Sequence, residues 1–456
     1  MLDAIIIGAG PAGLTAGFKL LQKNLEFLVL EAQDQPGGNV RTLAHQGYKL
    51  ETGPHTFMGA NEFVFKLVSE LNLDPSLMPA SPAAENRYIF RAGKLHPLPN
   101  GLIRFLKTPL LSASAKLRLT LEPLIPNRAK PLETAWEFFV RRFGEEAATY
   151  IMSPFISGIY AGNAKQLGAR ASFPKFWNFE KESGSMIIGA AKFMYAKRKR
   201  LKQEGITLKK GLFSFKDGLG ALTKTIAEKL GKNLLCSATV ETIVRDTTKF
   251  IVRAQGQEFL ARSIICAAPP PSASALLSGL APGAGKIFNA LPMSPVALIH
   301  WSQNAIDFPP GFGFLMPRLY QLRVLGTLFP SQLFPNRAPQ GQSLFASFYG
   351  GMTDPEAVEL SDDELTATLL KEHQEIFARK LGPPEMLKIL RYPGAIPQLL
   401  PDHPEKIAAL LDQTKKIPGL FLAGNYLTGV GLEHAVISGY NSAEQCLKFV
   451  VERFKG

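Results

Sequence analysis

The chain has 456 residues, 46% apolar and 20% charged, enough for a large core divided between two or three lobes. A mean hydropathy of +0.04 excludes a polytopic membrane protein. Lysine plus arginine exceeds aspartate plus glutamate by 51 − 38 = 13. In chain order, a strand at 3–8 leads through a glycine turn into a helix at 13–22 and a second strand at 25–30, a βαβ opening. Helical spacing returns at 62–71. Residues 100–143 alternate apolar and basic helical segments broken at Pro109, Pro123, Pro126 and Pro131. The stretch 192–210 holds eight basic residues and one acid, Glu204. Such a patch attracts anionic lipid, nucleic acid or an anionic substrate, unless it is only a solvated helix face. A helix is predicted at 218–230, then a hairpin of 234–244 with 250–254, then a buried strand at 263–268 ending in a proline-rich linker. From 296 to 349 aromatic and β-branched runs alternate with turns, a strand pattern. A helix at 362–381, a strand at 420–422 and a helix at 439–454 close the chain.

Met1-Leu2-Asp3 enters a strand directly, with no basic leader. The uncharged stretches 147–164 and 263–285 are interrupted by proline and glycine. The expectation is no signal peptide and no transmembrane helix, on the cytoplasmic side. Cys236, Cys266 and Cys446 are far apart and read as reduced thiols, and no metal site is expected.

Gly8-Ala9-Gly10-Pro11-Ala12-Gly13 fits G-x-G-x-x-G between a strand and a helix, the setting that pattern requires. Gly8 permits the tight turn, Gly10 lets the backbone approach a pyrophosphate, and Gly13 lets helix and strand pack closely. Glu31-Ala32 ends the second strand, where a carboxylate accepts ribose hydroxyls. This is a Rossmann-like dinucleotide grip. Two further segments favour FAD over NAD. In Gly37-Gly38-Asn39-Val40-Arg41-Thr42, Arg41 reaches the pyrophosphate as a bidentate fork. The second, Gly419 to Asn425 with Gly424-Asn425 and then Gly429-Val430-Gly431-Leu432, is a strand running into glycines and a helix N-terminus facing the flavin ring.

These marks, in this order, resemble the flavin amine oxidase superfamily, and within it the oxygen-dependent protoporphyrinogen oxidases, nearly end to end. Gly53-Pro54-His55-Thr56-Phe57 is similar to the loop beside the flavin, and Asn86-Arg87-Tyr88 with Gly93-Lys94-Leu95 to the substrate-arginine segment. Ser157 to Asn163 resembles the glycine-rich helix break, and Ser214 to Leu219 the S-F-x-x-G-L turn. The runs 311–317, 325–329 and 333–339, with Ala395-Ile396-Pro397-Gln398, complete the set. The resemblance implies a fold of class α/β plus α. A discontinuous FAD domain would span 1–83, 205–285 and 396–456, a mixed-sheet substrate domain 84–98 and 286–395, and a helical membrane-associating insert 99–204. It implies that Arg87 pairs with a substrate propionate and that Leu315, Leu328 and Phe348 sandwich the macrocycle. Carbonyls near Gly158 and Gly162 would face pyrrole N–H groups, and Val240 would hold the adenine end of a non-covalent FAD. Taken alone, Arg87 reads as a surface ion-pair partner and the three apolar residues as sheet core. Glu433-His434-Ala435, His55 and Met58 depart from the family pattern near the flavin.

The implied activity is oxidation of protoporphyrinogen IX to protoporphyrin IX with dioxygen, in three two-electron rounds that release hydrogen peroxide. Coproporphyrinogen III oxidation, or amine oxidation or desaturation on the same scaffold, remains open. The implied partners are an anionic membrane surface, a chelatase taking the product and a second copy of the chain. No nucleic-acid reader motif is present. No catalytic base stands out in the sequence.

Overall fold

The computed structural model describes residues 1–59, 62–205, 209–304 and 308–455. Strand Ala4–Ile7 is wholly apolar and buried along its length. It sits at the middle of a five-stranded parallel sheet in the order Leu234–Leu235, Phe27–Leu30, Ala4–Ile7, Ile264–Cys266, Leu420–Leu422. A parallel sheet buried on both faces wants apolar residues at every position, and alternate residues supply the two cores. Ala4, Ile6, Val29 and Ile265 pack on helices Pro11–Gln22, Gly220–Leu230 and Leu432–Val450. Ile5, Ile7, Ile264 and Cys266 pack on an antiparallel sheet of Val240–Asp246, Lys249–Ala254 and Gln257–Ala261. The parallel strands come from three distant parts of the chain.

Three sequence expectations are corrected here. The 234–244 run is two strands, because Ser237 takes a left-handed φ of +55° and turns the chain out of the parallel sheet into the antiparallel one. The proline-rich linker after 263–268 is two helices, Pro270–Leu277 and Pro282–Asn289. Their prolines occupy the first turn, where a missing N–H removes no helical bond. The last helix starts at Leu432, not 439. Gly439 lies inside it, where a Cβ would come within 2.3 Å of the Ala12 carbonyl oxygen and push helix Pro11–Gln22 away.

The second sheet has seven strands, ordered Glu385–Pro397, Met293–Asn304, Gln342–Gly350, Gly326–Leu328, Gly313–Leu315, Arg87–Arg91, Lys94–Pro97. Gly313–Leu315 pairs with Arg87–Arg91 in parallel, and every other pairing is antiparallel. One face is aromatic and covered by helix Asp362–Ile376: Trp301 stacks on Phe345 at 4.3 Å, and the buried His373 bridges Thr327 and Ser347. That helix stops short of the expected 381 because Ala378 takes φ +48°. Strand Glu385–Pro397 escapes sequence reading because it contains Pro393 and Gly394, tolerated only because it is a sheet edge.

Between the two sheets the chain inserts helices Leu102–Lys107, Ala113–Thr120, Ala135–Phe143, Ser153–Tyr160, Pro174–Ser183 and Met186–Gln203. They are tied by buried charge. Arg142, fully buried, contacts Glu122 and lies 3.4 Å from Glu180; Arg141 reaches Glu133 at 2.8 Å and Glu180 at 2.5 Å. Glu122 also accepts the Met186 and Ile187 N–H groups, capping the longest insert helix with negative charge. Among the described residues no helix is long and apolar enough to cross a membrane.

Candidate functional site

The first glycine turn is built to receive an anion. Helix Pro11–Gln22 begins at Gly10 with no side-chain cap, so its N-terminal N–H groups are left to a ligand. A Cβ on Gly10 would meet nothing within 4 Å, whereas one on Gly13 would lie 1.9 Å from the Gly8 carbonyl oxygen. The first glycine keeps space open; the second closes the helix onto the strand. Glu31 is buried, and its carboxylate accepts N–H bonds from Ala9 (2.6 Å) and Gln33 (2.9 Å). Each oxygen keeps a further lone pair for a hydroxyl. Beside it, Ala238 donates to the Glu31 carbonyl (2.7 Å), which places Val240 just past the end of the second strand.

The Gly37-Gly38 turn lies on this loop. Gly37 N–H donates to the Ala9 carbonyl (2.8 Å), and a Cβ on Gly38 would touch the Gly10 Cα at 3.2 Å. Arg41 Nε is buried with no partner among the described residues. Asn39 lies against Gly53, where a Cβ would be 2.3 Å from its carbonyl oxygen, so the loop 53–56 stacks on the segment carrying Arg41. On the other side, Gly424 N–H donates to Ser438 Oγ (2.9 Å) and Asn425 Nδ2 reaches the Val430 carbonyl at 3.5 Å. Helix Leu432–Val450 then starts at Gly431, again without a side-chain cap. His434 folds back on Gly429 and pairs its Nδ1 with Thr428 Oγ1 at 3.2 Å; burial holds its pKa below the usual imidazole value.

The second sheet supplies an apolar slot. Cross-strand register puts His300, Ala346, Leu328, Gly313 and Arg87 in one row, and Leu298, Phe348, Gly326, Leu315 and Ile89 in the next, all on one face. Helix Ser153–Tyr160 lies on this face: a Cβ on Gly158 would be 2.3 Å from Leu315 Cδ2. The helix ends at Ala161, φ +44°, and Gln398 fixes the break by donating to the Tyr160 carbonyl (2.8 Å) while its Oε1 faces Gly162. Arg87 is exposed at the far end, its guanidinium 5.2 Å from the Phe312 ring and in no ion pair among the described residues.

At the near end stands a cluster in which sequence reading gave a role only to His55, in the loop expected beside the flavin. His300 and Arg337 are fully buried and Glu51 nearly so. Arg337 donates to Ser214 Oγ and to the Phe215 and Lys216 carbonyls, with its Nε 3.8 Å from Glu51. Burial outweighs that cation and pushes the Glu51 carboxyl up to about 7. His55, buried, faces His300 at 6.0 Å and Phe348 at 6.4 Å. The one available signal for His300 was that it and Ser302, two residues on, are the polar positions of the otherwise apolar run 296–302.

An uncapped helix N-terminus on a glycine loop, a buried carboxylate at the second strand end and a covered apolar slot define a dinucleotide-dependent oxidoreductase. Residues 11–447 match the family described as flavin containing amine oxidoreductase, and the chain belongs to that family. It is an FAD-dependent enzyme, and the open space at Gly10 and the unpartnered Arg41 Nε fit a pyrophosphate. The chain is 31% identical to protoporphyrinogen oxidase 1, chloroplastic, of Spinacia oleracea, over 99% of its own length and 85% of the relative's. It is 28% identical to coproporphyrinogen III oxidase of Bacillus subtilis (strain 168), covering 98% of each. A solved structure of an Exiguobacterium sp. 255-15 protein, provisionally named a protoporphyrinogen oxidase, superposes with a TM-score of 0.83 at 24% identity, covering 98% of each chain.

Proposed function

We propose that this protein oxidises protoporphyrinogen IX to protoporphyrin IX with dioxygen as acceptor, releasing hydrogen peroxide in each of three two-electron rounds. When bound, FAD supplies hydride acceptance and passes the electron pair to dioxygen. The chain's own residues bind and place. The turn Gly8 to Gly13, with Gly38, Asn39 and Arg41, holds the pyrophosphate; Glu31 and Ala32 hold the ribose and the Val240 backbone the adenine. Gly53, Pro54, His55 and Thr56 line one side of the ring system, and Gly424, Asn425, Val430, Gly431 and Leu432 the other. These parts make up an FAD domain of 1–83, 205–285 and 396–456, which meets a substrate domain of 84–98 and 286–395.

The observation that carries this reading is the slot itself. A wide apolar macrocycle with carboxylates on one edge matches an apolar face bounded by Leu315, Leu328 and Phe348 with a guanidinium at one end. The backbone break around Gly158 and Gly162 offers carbonyls to pyrrole N–H groups. Across the five strands named, the two slot rows hold one permanent cation, Arg87, with the exposed Lys388 opposite His300 only on the edge strand; a single guanidinium in the slot suits the substrate with two propionates better than coproporphyrinogen III with four. Aerobic assay with both porphyrinogens, followed by porphyrin fluorescence, tests it: protoporphyrinogen IX is expected to turn over with the higher kcat/KM, and Arg87→Ala to raise KM about tenfold or more. Turnover of neither porphyrinogen by the FAD-loaded enzyme would reject the reading.

Peripheral attachment to a membrane belongs to the same proposal. Leu102, Ile103, Leu106, Leu117, Leu124 and Tyr195 are all more than half exposed on the helical insert, beside the basic run of helix Met186–Gln203. Exposed apolar side chains interleaved with cations suit the interface of an anionic bilayer.

A further inference from the structure

We propose that His55, backed by His300, is the proton acceptor of the oxidation, a base that takes protons shed by the macrocycle at the near end of the slot. This rests on the porphyrinogen reading above. His55 Nε2 and His300 Nδ1 are both buried and both lack a partner among the described residues. His300 Nε2 lies 2.9 Å from the Glu51 carbonyl oxygen. A carbonyl only accepts, so Nε2 carries the ring proton and Nδ1 is a bare lone pair. A buried polar atom left unpaired is costly, and here two occur on rings whose centroids lie 6.0 Å apart. His55 lies edge-on to Phe348, and His300 shares a row with Leu328 and Arg87. Four strand steps separate His300 from Arg87, about 19 Å, so a substrate anchored at Arg87 by a carboxylate extends along the slot and brings the pyrrole rings of its other half toward the pair.

The surroundings keep both rings neutral, so each presents a free lone pair, although burial makes both weaker bases than an exposed imidazole. Burial pushes the His300 pKa down to about 4 and holds His55 well below the usual imidazole value, with His300 and the Arg337 cation adding to the effect. The other groups facing the loop do not reverse this. Glu51 is itself pushed up to about 7 and turns its carboxylate to Thr42 and Leu219; Tyr392, donating to the Thr52 carbonyl at 2.6 Å, has its pKa raised by burial. Arg41 lies beyond Tyr392 and adds positive charge. A base so held accepts a proton when one is offered at short range and releases it readily to solvent.

The first round balances as follows. The macrocycle loses two protons and two electrons. One hydrogen leaves carbon with its electron pair, by the cofactor chemistry already stated. The electron pair of a pyrrole N–H bond stays on the macrocycle and closes the new C=N bond, and its proton goes to the His55 lone pair.

The test uses FAD-loaded enzyme and the variants His55→Gln and His300→Gln, which keep hydrogen-bonding ends but do not titrate. Wild-type kcat/KM should fall on the acid side, along a one-proton limb below pH 6.5. His55→Gln should lose that limb and lower kcat at neutral pH by about 100-fold or more. Its KM, flavin absorbance and quenching of protoporphyrin fluorescence on binding should stay within twofold. His300→Gln should displace the limb without removing it. A His55→Gln enzyme within threefold of wild-type kcat, or with the acid limb intact, overturns the proposal. If that variant loses its flavin, an undisplaced limb in His300→Gln overturns it instead. Failure of wild-type enzyme to oxidise any porphyrinogen would reject the function and not this inference alone.

Discussion

Gly10 and Gly13 stand three residues apart in one turn and answer to different constraints. At Gly13 a methyl group would be driven into the Gly8 carbonyl at 1.9 Å. Gly13→Ala is expected to destabilise the apoprotein by about 1–3 kcal/mol or more, read as a lower urea midpoint. At Gly10 the methyl would enter open space. Gly10→Ala should leave that midpoint unchanged yet lose bound flavin absorbance, because the methyl takes the room of the phosphate. Titratable groups show the same opposition. His300 and His373 are buried neutral, their pKa values pushed down to about 4 by desolvation. Their contribution is complete above pH 6.5 and is lost as pH falls toward 4, about 3 kcal/mol each. Glu51, raised to about 7, has the other sign: its contribution is complete below pH 4.5 and is lost as pH rises through 7. Urea midpoints taken from pH 4 to 8 should therefore fall at both ends, and His373→Gln should flatten the acid side.

Among the elements, the insert helices show what holds an amphipathic assembly together when much of its apolar surface faces outward. Arg142 is sealed between Glu122 and Glu180, and Glu122 caps helix Met186–Gln203. Removing one partner strands the others in a low-dielectric interior, at a cost of about 3–5 kcal/mol. Arg142→Met is expected to open the insert to limited proteolysis between 120 and 190 while strand Ala4–Ile7 and its neighbours stay protected. Elements with strong local periodicity were legible, such as helix Pro11–Gln22 and strand Leu420–Leu422. Those decided by remote partners were not. Leu234–Leu235 continues its apolar run into 240–244 in the sequence, and only the parallel edge offered by Phe27–Leu30 separates the two. Gly439 reads as a helix start until helix Pro11–Gln22 is seen lying against it.

Across the whole molecule, charge and exposed apolar surface coincide on one insert. If this is the bilayer face, binding to vesicles rich in anionic lipid should fall steeply between 50 and 500 mM salt, since each surface cation contributes about 1 kcal/mol at low ionic strength. Replacing Leu102, Ile103 and Leu106 together by Glu should abolish co-sedimentation while leaving flavin content and turnover of detergent-dispersed substrate intact. Co-sedimentation insensitive to both salt and these changes would place the contact elsewhere. The insert also lays helix Ser153–Tyr160 on the slot through Gly158, so the lobe proposed to meet the bilayer also covers the candidate substrate site.

The sequence by itself determined the glycine turn between a strand and a helix and the family, because glycine spacing, strand ends and short motifs are local properties written in consecutive residues. It named Leu315, Leu328, Phe348 and Arg87 but could not put them on one face; the register of four strands did that. Tertiary structure alone decided that Glu51, Arg337, His55 and His300 meet, since they lie up to about 290 residues apart in the chain and their pKa values follow from burial. Burial is a property of everything packed around a group, and no window of consecutive residues contains it.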